Sequence, residues 1–134
     1  MLHLIKSNIH LIAILIGVIA LTSCEGNTRR YLTVKNSSSE SINVIYNDFN
    51  MHFDTLTIVP NTQTDLLFSS DRGGKSNSGS PSEYILNMAI FKGQDSCIKN
   101  NQLDANWIIT SEQTKRVPSH WEHHYTFDVL DSDF

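Results

Sequence analysis

From Tyr31 onward, apolar and polar residues alternate with a period of two, the mark of strands that bury one face. "YLTVKN" (31–36) sets Leu32 and Val34 against Thr33 and Lys35, and "SINVIY" (41–46) puts Ile42, Val44 and Tyr46 together. "DTLTIVP" (54–60) repeats this with Leu56 and Ile58 before Pro60 closes it, and "TDLLFS" (64–69) offers Leu66 and Phe68. "EYILNMAIF" (83–91) carries Tyr84, Leu86, Met88 and Ile90 on one face. Ile85, Ala89 and Phe91 nearly fill its other face, so it reads as a central strand. "NWIIT" (106–110) and "HYTFDVL" (124–130) complete the set, the latter with Tyr125, Phe127 and Val129 in phase. Asn, Ser, Asp, Gly and Pro separate these runs, and no stretch has the period of an amphipathic helix. The pattern predicts an all-β fold over residues 31–134: an antiparallel sandwich of about seven strands, immunoglobulin-like or transthyretin-like.

Two connections exceed what a hairpin needs. "SSDRGGKSNSGSPS" (69–82) offers no large apolar side chain, so it is expected to be mobile or ordered only by a partner. Its "GGKS" lacks the spacing and the following helix of a phosphate loop. "KGQDSCIKNNQLDAN" (92–106) has only Ile98 and Leu103 to tether it.

The pattern differs before residue 31. Lys6 is followed by an apolar run, "IHLIAILIGVIAL" (9–21), interrupted only by His10. Its 13 residues reach about 20 Å as a helix, short of a bilayer's ~30 Å hydrocarbon core. A basic start, a short apolar stretch and small residues at its end predict a secretory signal peptide over residues 1–23.

The stretch that ends it, "LTSC" (21–24), resembles the lipobox of bacterial lipoproteins. The resemblance implies cleavage between Ser23 and Cys24, diacylglycerol on the Cys24 thiol, and commonly acylation of the new amino group. One acyl chain binds a membrane reversibly, at ~0.8 kcal/mol per buried CH₂, whereas two or three hold firmly. With "RYLTVKN" and the ending "HHYTFDVLDSDF", the layout is similar to small β-sandwich lipoproteins of Bacteroidota. The surface-export signal of that group resembles an acidic run after the Cys, and "CEGNTRR" turns basic instead. The resemblance therefore implies an outer-membrane lipid anchor facing the periplasm. Residues 24–30 read as a short lipidated linker in which Arg29 and Arg30 lie near the head groups.

Removing residues 1–23 leaves nine Lys and Arg against fourteen Asp and Glu, spread along the chain. No clustered basic face is present, which argues against a nucleic-acid binder. A lipidated Cys24 leaves Cys97 without an intrachain partner, as a buried thiol or one that pairs between chains.

Candidate chemistry is sparse. In "HWEHH" (120–124), strand alternation puts His120, Glu122 and His124 on one face, a set of the two-His-one-carboxylate type for a divalent metal. That face lies opposite Tyr125, Phe127 and Val129, so it should point to solvent, without a closed shell around it. There is no G-x-S-x-G and no H-E-x-x-H, and turn chemistry accounts for Asp54 and Asp65 as well as an acid pair does. "NDFNMHFD" (47–54) places Phe49, Met51 and Phe53 in a polar loop, a candidate binding tip. Trp107 and Trp121 open strands and are expected to cap the core. "DTL" (54–56) resembles the Bacteroidota O-glycosylation motif, with Thr55 as acceptor. The expectation is a non-catalytic binding or structural module, not an enzyme. Its partner would be an envelope protein or glycan, and no cofactor is implied. A metal- or small-ligand-binding lipoprotein using the His120, Glu122 and His124 face is the alternative, and an envelope glycan-acting enzyme a more distant one.

Overall fold

The computed structural model describes residues 25–48 and 53–134, and residues 1–24 and 49–52 lie outside the account below. All seven strands expected from the alternation are present, and an eighth, short one joins them. They are β1 (Asn27–Asn36), β2 (Ile42–Asp48), β3 (Phe53–Ile58), β4 (Thr62–Arg72), β5 (Ile85–Lys92), β6 (Asp95–Ser96), β7 (Ile108–Lys115) and β8 (His120–Val129). They form two four-stranded sheets, in the orders β4-β1-β8-β7 and β3-β2-β5-β6. Among the described residues there is no α-helix. Neighbouring strands pair antiparallel with one exception, since β1 runs parallel to β8 from Asn27 opposite His120 to Asn36 opposite Val129.

The inward-facing residues follow the period of two. Leu32 and Val34 of β1, Ile42 and Val44 of β2, Ile58 of β3, Ile85 and Ile90 of β5, and Phe127 and Val129 of β8 are buried in one cluster. Each such side chain contributes roughly 1.5–3 kcal/mol by leaving water. Trp107 caps this core, as the sequence predicts, with its ring 5.1 Å from that of Phe127.

Two strands depart from simple alternation. The β1–β4 register shifts between Leu32 and Thr33, which face Leu67 and Asp65, so Leu66 is an extra residue. A bulge reverses the facing of everything beyond it. Leu66 is buried, whereas Phe68, expected beside it, points outward at 55% exposure and meets Tyr31 instead. In β5 the pairing slips between Asn47 and Asp48, and both Ile85 and Met88 reach the core although they are three positions apart.

β1 starts at Asn27, before the expected domain boundary at Tyr31. Arg29 and Arg30 are therefore strand residues. Arg29 Nη1 lies 3.3 Å from Glu122 Oε1, and Arg30 is buried with Nη1 2.6 Å from Asp71 Oδ2. Gly26 just before them abuts the backbone at residue 119, where a Cβ would stand 1.9 Å from the Ser119 carbonyl oxygen. Only glycine fits such an approach.

At this end of the first sheet the inner face is polar, with Thr28, Arg30 and His123 buried beside Tyr125. The 69–82 connection closes over them, which overturns the expectation that it needs a partner to be ordered. Thr28 Oγ1 donates to Gly73 O (2.6 Å) and accepts from Lys75 N (2.8 Å). His123 is 2.9 Å from Lys75 O and 2.7 Å from Ser111 Oγ. A carbonyl only accepts, so Nε2 carries a proton and donates to Lys75 O. Tyr125 and Tyr84 both donate to Ser78 O.

Candidate functional site

The outward face of the second sheet holds a cleft. Three strands build it in cross-strand rows. Phe53 stands opposite Asn47, and Asn47 opposite Asn87. The next row is Thr55, Ile45 and Ala89. Phe53 is 74% exposed and Ile45 41%, so the apolar part of this face is open. Ala89 is exposed too, where the sequence pattern had implied a strand covered on both faces.

The far wall comes from a loop. β6 is only two residues long and pairs with Phe91 and Lys92, so it leaves the β5 edge before them uncovered. Side-chain amides take the place of a strand there. Asn101 Nδ2 donates to Met88 O (2.5 Å), and Gln102 Nε2 to Asn101 Oδ1 (3.1 Å). The loop is tied to the core, because buried Trp107 donates its Nε1–H to Asn101 O at 2.8 Å. Capping an exposed edge this way also removes a template for strand-to-strand aggregation. Together Ile45, Tyr46, Asn47, Phe53, Asn87, Met88, Ala89, Asn101 and Gln102 enclose about 280 Å³.

Asn47 is the unusual member. Alternation aims it outward with Ile45, yet it is 5% exposed at the floor of the cleft. Its Oδ1 is buried and has no hydrogen-bond partner. Buried polar atoms are almost always paired, and leaving one unpaired costs about 1–3 kcal/mol.

The chain matches no family model, no curated protein and no solved structure.

The other sequence candidates distribute as follows. Of the expected binding tip, Phe53 lines the cleft, whereas Phe49 and Met51 lie outside the described residues, as do Ser23 and Cys24. Thr55 is exposed on edge strand β3. His120, Glu122 and His124 do face outward on β8, but the side chains that converge are Glu112, Glu122 and His124, with ligand atoms within 4.8 Å of one another. Glu112 comes from β7, directly opposite Glu122, a cross-strand pairing invisible in local spacing. Arg29 already engages Glu122, and His124 stacks on Tyr31 at 4.8 Å. Asp54 and Asp65 do not form a pair: Tyr46 Oη lies 3.5 Å from Asp54 Oδ2, while Asp65 accepts from Thr33 Oγ1 at 2.6 Å. Cys97 is half-buried and packed against the core, and burial pushes its thiol up, away from the reactive thiolate. Trp121 is half-buried, with its Nε1–H on Ser119 Oγ.

Sequence reasoning missed Asn47, Asn101 and Gln102. The amide-rich run "IKNNQ" (98–102) is a legible signal for Asn101 and Gln102 only.

The polar end has a consequence at high pH. Burial, with Tyr84 beside it, pushes the Tyr125 phenol up to about 12. The unfolded chain ionises such a phenol near 10. Between those values the unfolded state binds fewer protons, so stability falls as pH rises from about 10 to about 12. Chemical denaturation across that window should show a shallower loss for Tyr125→Phe than for the parent protein. Equal slopes would mean that another group controls alkaline unfolding.

Proposed function

We propose that this chain is a lipid-anchored lipoprotein of the bacterial cell envelope that works as a non-catalytic binding module. The observation that carries the reading is the cleft on the second sheet, where open apolar side chains meet a buried amide oxygen without a partner. A face that only closed the fold would cover Phe53 and pair Asn47. Small-ligand sites are clefts of this kind, mostly apolar with a few placed polar groups.

The anchor follows from the lipobox-like "LTSC" after an apolar leader, with lipid on Cys24. β1 begins at Asn27, so almost no tether separates the domain from that lipid. β2 runs back toward the end at which the chain enters: Ile58, opposite Ile42, accepts from Asn36 at one end, while at the other Asp48 pairs with Ile85, next to Tyr84, whose ring lies 5.1 Å from the Arg30 guanidinium. The Asn47 and Phe53 end of the cleft therefore lies on the membrane-proximal half. A partner in the outer membrane or the periplasm beside it is the natural reading.

Replacing Cys24 with serine tests the anchor. We expect the parent protein to partition into membranes with an intact mass showing acylated Cys24 as its first residue. The Cys24→Ser form should be recovered in the soluble fraction. Cross-linking in cells, followed by a pull-down from both forms, tests the module. A partner captured by the lipidated form and lost from the soluble one supports the reading. An unacylated amino terminus, or equal membrane association of both forms, sinks the anchor.

A further inference from the structure

We propose that the cleft on the second sheet takes one unit of an uncharged glycan. A sugar ring lies on Phe53, and its hydroxyls are read by Asn47, Asn87, Asn101 and Gln102. The proposal rests on the binding-module reading and names the ligand class of that same face.

The chemistry of the wall decides the class. The side chains that enclose the cleft include four carboxamides and no Lys, Arg, Asp, Glu or His among the described residues. Among the described residues an anionic ligand would find no cation there. A carboxamide offers donors and an acceptor side by side, and so matches a hydroxyl, which is both donor and acceptor. Phosphate, carboxylate and ammonium groups are satisfied by charged partners instead. Phe53 supplies the second half of sugar recognition, an open aromatic face for the C–H side of the ring.

Asn47 is the independent observation. An outward-aimed side chain at 5% exposure whose oxygen has no partner carries an unmet demand for a hydrogen-bond donor. A sugar hydroxyl meets it once the amide turns that oxygen toward the cleft. The amide can turn over, since its oxygen and nitrogen occupy equivalent positions.

A peptide strand fits less well. Strand addition needs free backbone groups at a sheet edge. On the β5 side Asn101 already occupies the Met88 carbonyl, and a strand added at the free β3 edge would lie beyond Phe53, away from Asn47 and Asn87. Protein-binding hot spots are built on Trp, Tyr and Arg. Here Tyr46 turns its hydroxyl away, to Leu66 O at 2.9 Å, and no Trp or Arg lines the cleft among the described residues.

The size is right for one unit. The 280 Å³ lies at the lower limit of small-ligand sites. Ligand efficiencies of ordinary small ligands put the Kd of a single sugar on the order of 1 mM. A membrane carrying many copies gains avidity toward a repeating polymer.

The test uses the mature lipidated protein in detergent micelles, labelled with nitrogen-15, and four probes: hexasaccharides of glucose, mannose, galactose and N-acetylglucosamine. We expect at least one probe to shift the side-chain amide signals of Asn47, Asn87 and Asn101 saturably. Asn47→Ala and Phe53→Ala should each weaken that probe by about tenfold, the scale of one neutral contact. Tyr31→Ala, on the opposite sheet, should leave it unchanged. Phe53 is exposed, so its replacement leaves the core intact and keeps the test valid if Asn47→Ala folds poorly. No saturable shift with any probe to about 20 mM, some twentyfold above the expected Kd, overturns the glycan proposal. So does binding that survives both cleft substitutions. A partner protein cross-linked at Phe53, with no glycan bound, also overturns it while the module reading stands. Silence in both experiments removes both.

Discussion

Phe127→Ala is expected to lose about 3–5 kcal/mol of folding stability, a large share of the roughly 5–15 kcal/mol that a domain usually has. Phe127 lies on β8, which pairs with β1 and β7 at the centre of the first sheet. Its ring is fully buried, contacts Trp107 at 5.1 Å and lies under the Lys99 ammonium at 5.0 Å. Truncation leaves a cavity bounded by two sheets, which cannot both collapse into it. The damage should also reach the cleft, because Trp107 holds Asn101 through its Nε1–H. Urea denaturation should show a lower midpoint with an unchanged slope. A loss below about 1 kcal/mol would mean that the site repacks freely.

Asn36→Ala is expected to cost about 3 kcal/mol, far more than a typical asparagine, because its whole amide is used. Nδ2 donates to Glu40 O at 2.8 Å and to Ile58 O at 2.9 Å. Oδ1 accepts from Ser38 N at 3.0 Å and from the Ser38 hydroxyl at 2.6 Å. These bonds fasten the crossover from β1 in one sheet to β2 in the other, and the residue is completely buried. Removing the amide takes a donor from Ile58 O and the acceptor from Ser38 N inside the protein, while Glu40 O keeps the Ser38 hydroxyl at 3.0 Å. Asn36→Asp should do no better, since it restores the acceptor but removes both donors and buries a charge. Thermal unfolding of both variants checks this, and a near-neutral Asn36→Ala would show that water replaces the amide.

Neither position shows its weight locally. Phe127 could be read as inward, because Tyr125, Phe127 and Val129 share one parity and only a buried face would carry them. Its partners could not be read, since Trp107 and Lys99 arrive from a loop. Asn36 reads as an ordinary turn residue at a strand end.

The same boundary separates the other features. Strand positions were legible because alternation is a local property of the chain. Phe68 was misplaced because the bulge at Leu66 depends on which residue β1 sets opposite it. β6 went unseen because two residues carry no period, and only the backbone of β5 makes them a strand. The 69–82 loop looked unstructured because its partners, Thr28, His123 and Tyr125, lie on two distant strands. Glu112 joined Glu122 and His124 only through the β7–β8 register.

By itself the sequence determined an all-β domain, seven of the eight strands among the described residues, the inward face of most of them, and the expectation of a lipid anchor at Cys24. These follow from period, composition and short motifs, each contained within a few residues. The tertiary structure alone decided which strands are neighbours, that β1 and β8 run parallel, and that the inner face ends in a polar patch closed by a serine-rich loop. It also decided that Asn47, Phe53, Asn87 and Asn101 share one cleft. Those outcomes depend on pairing between residues up to 93 positions apart, where burial and hydrogen-bond satisfaction over the whole fold select one register from many.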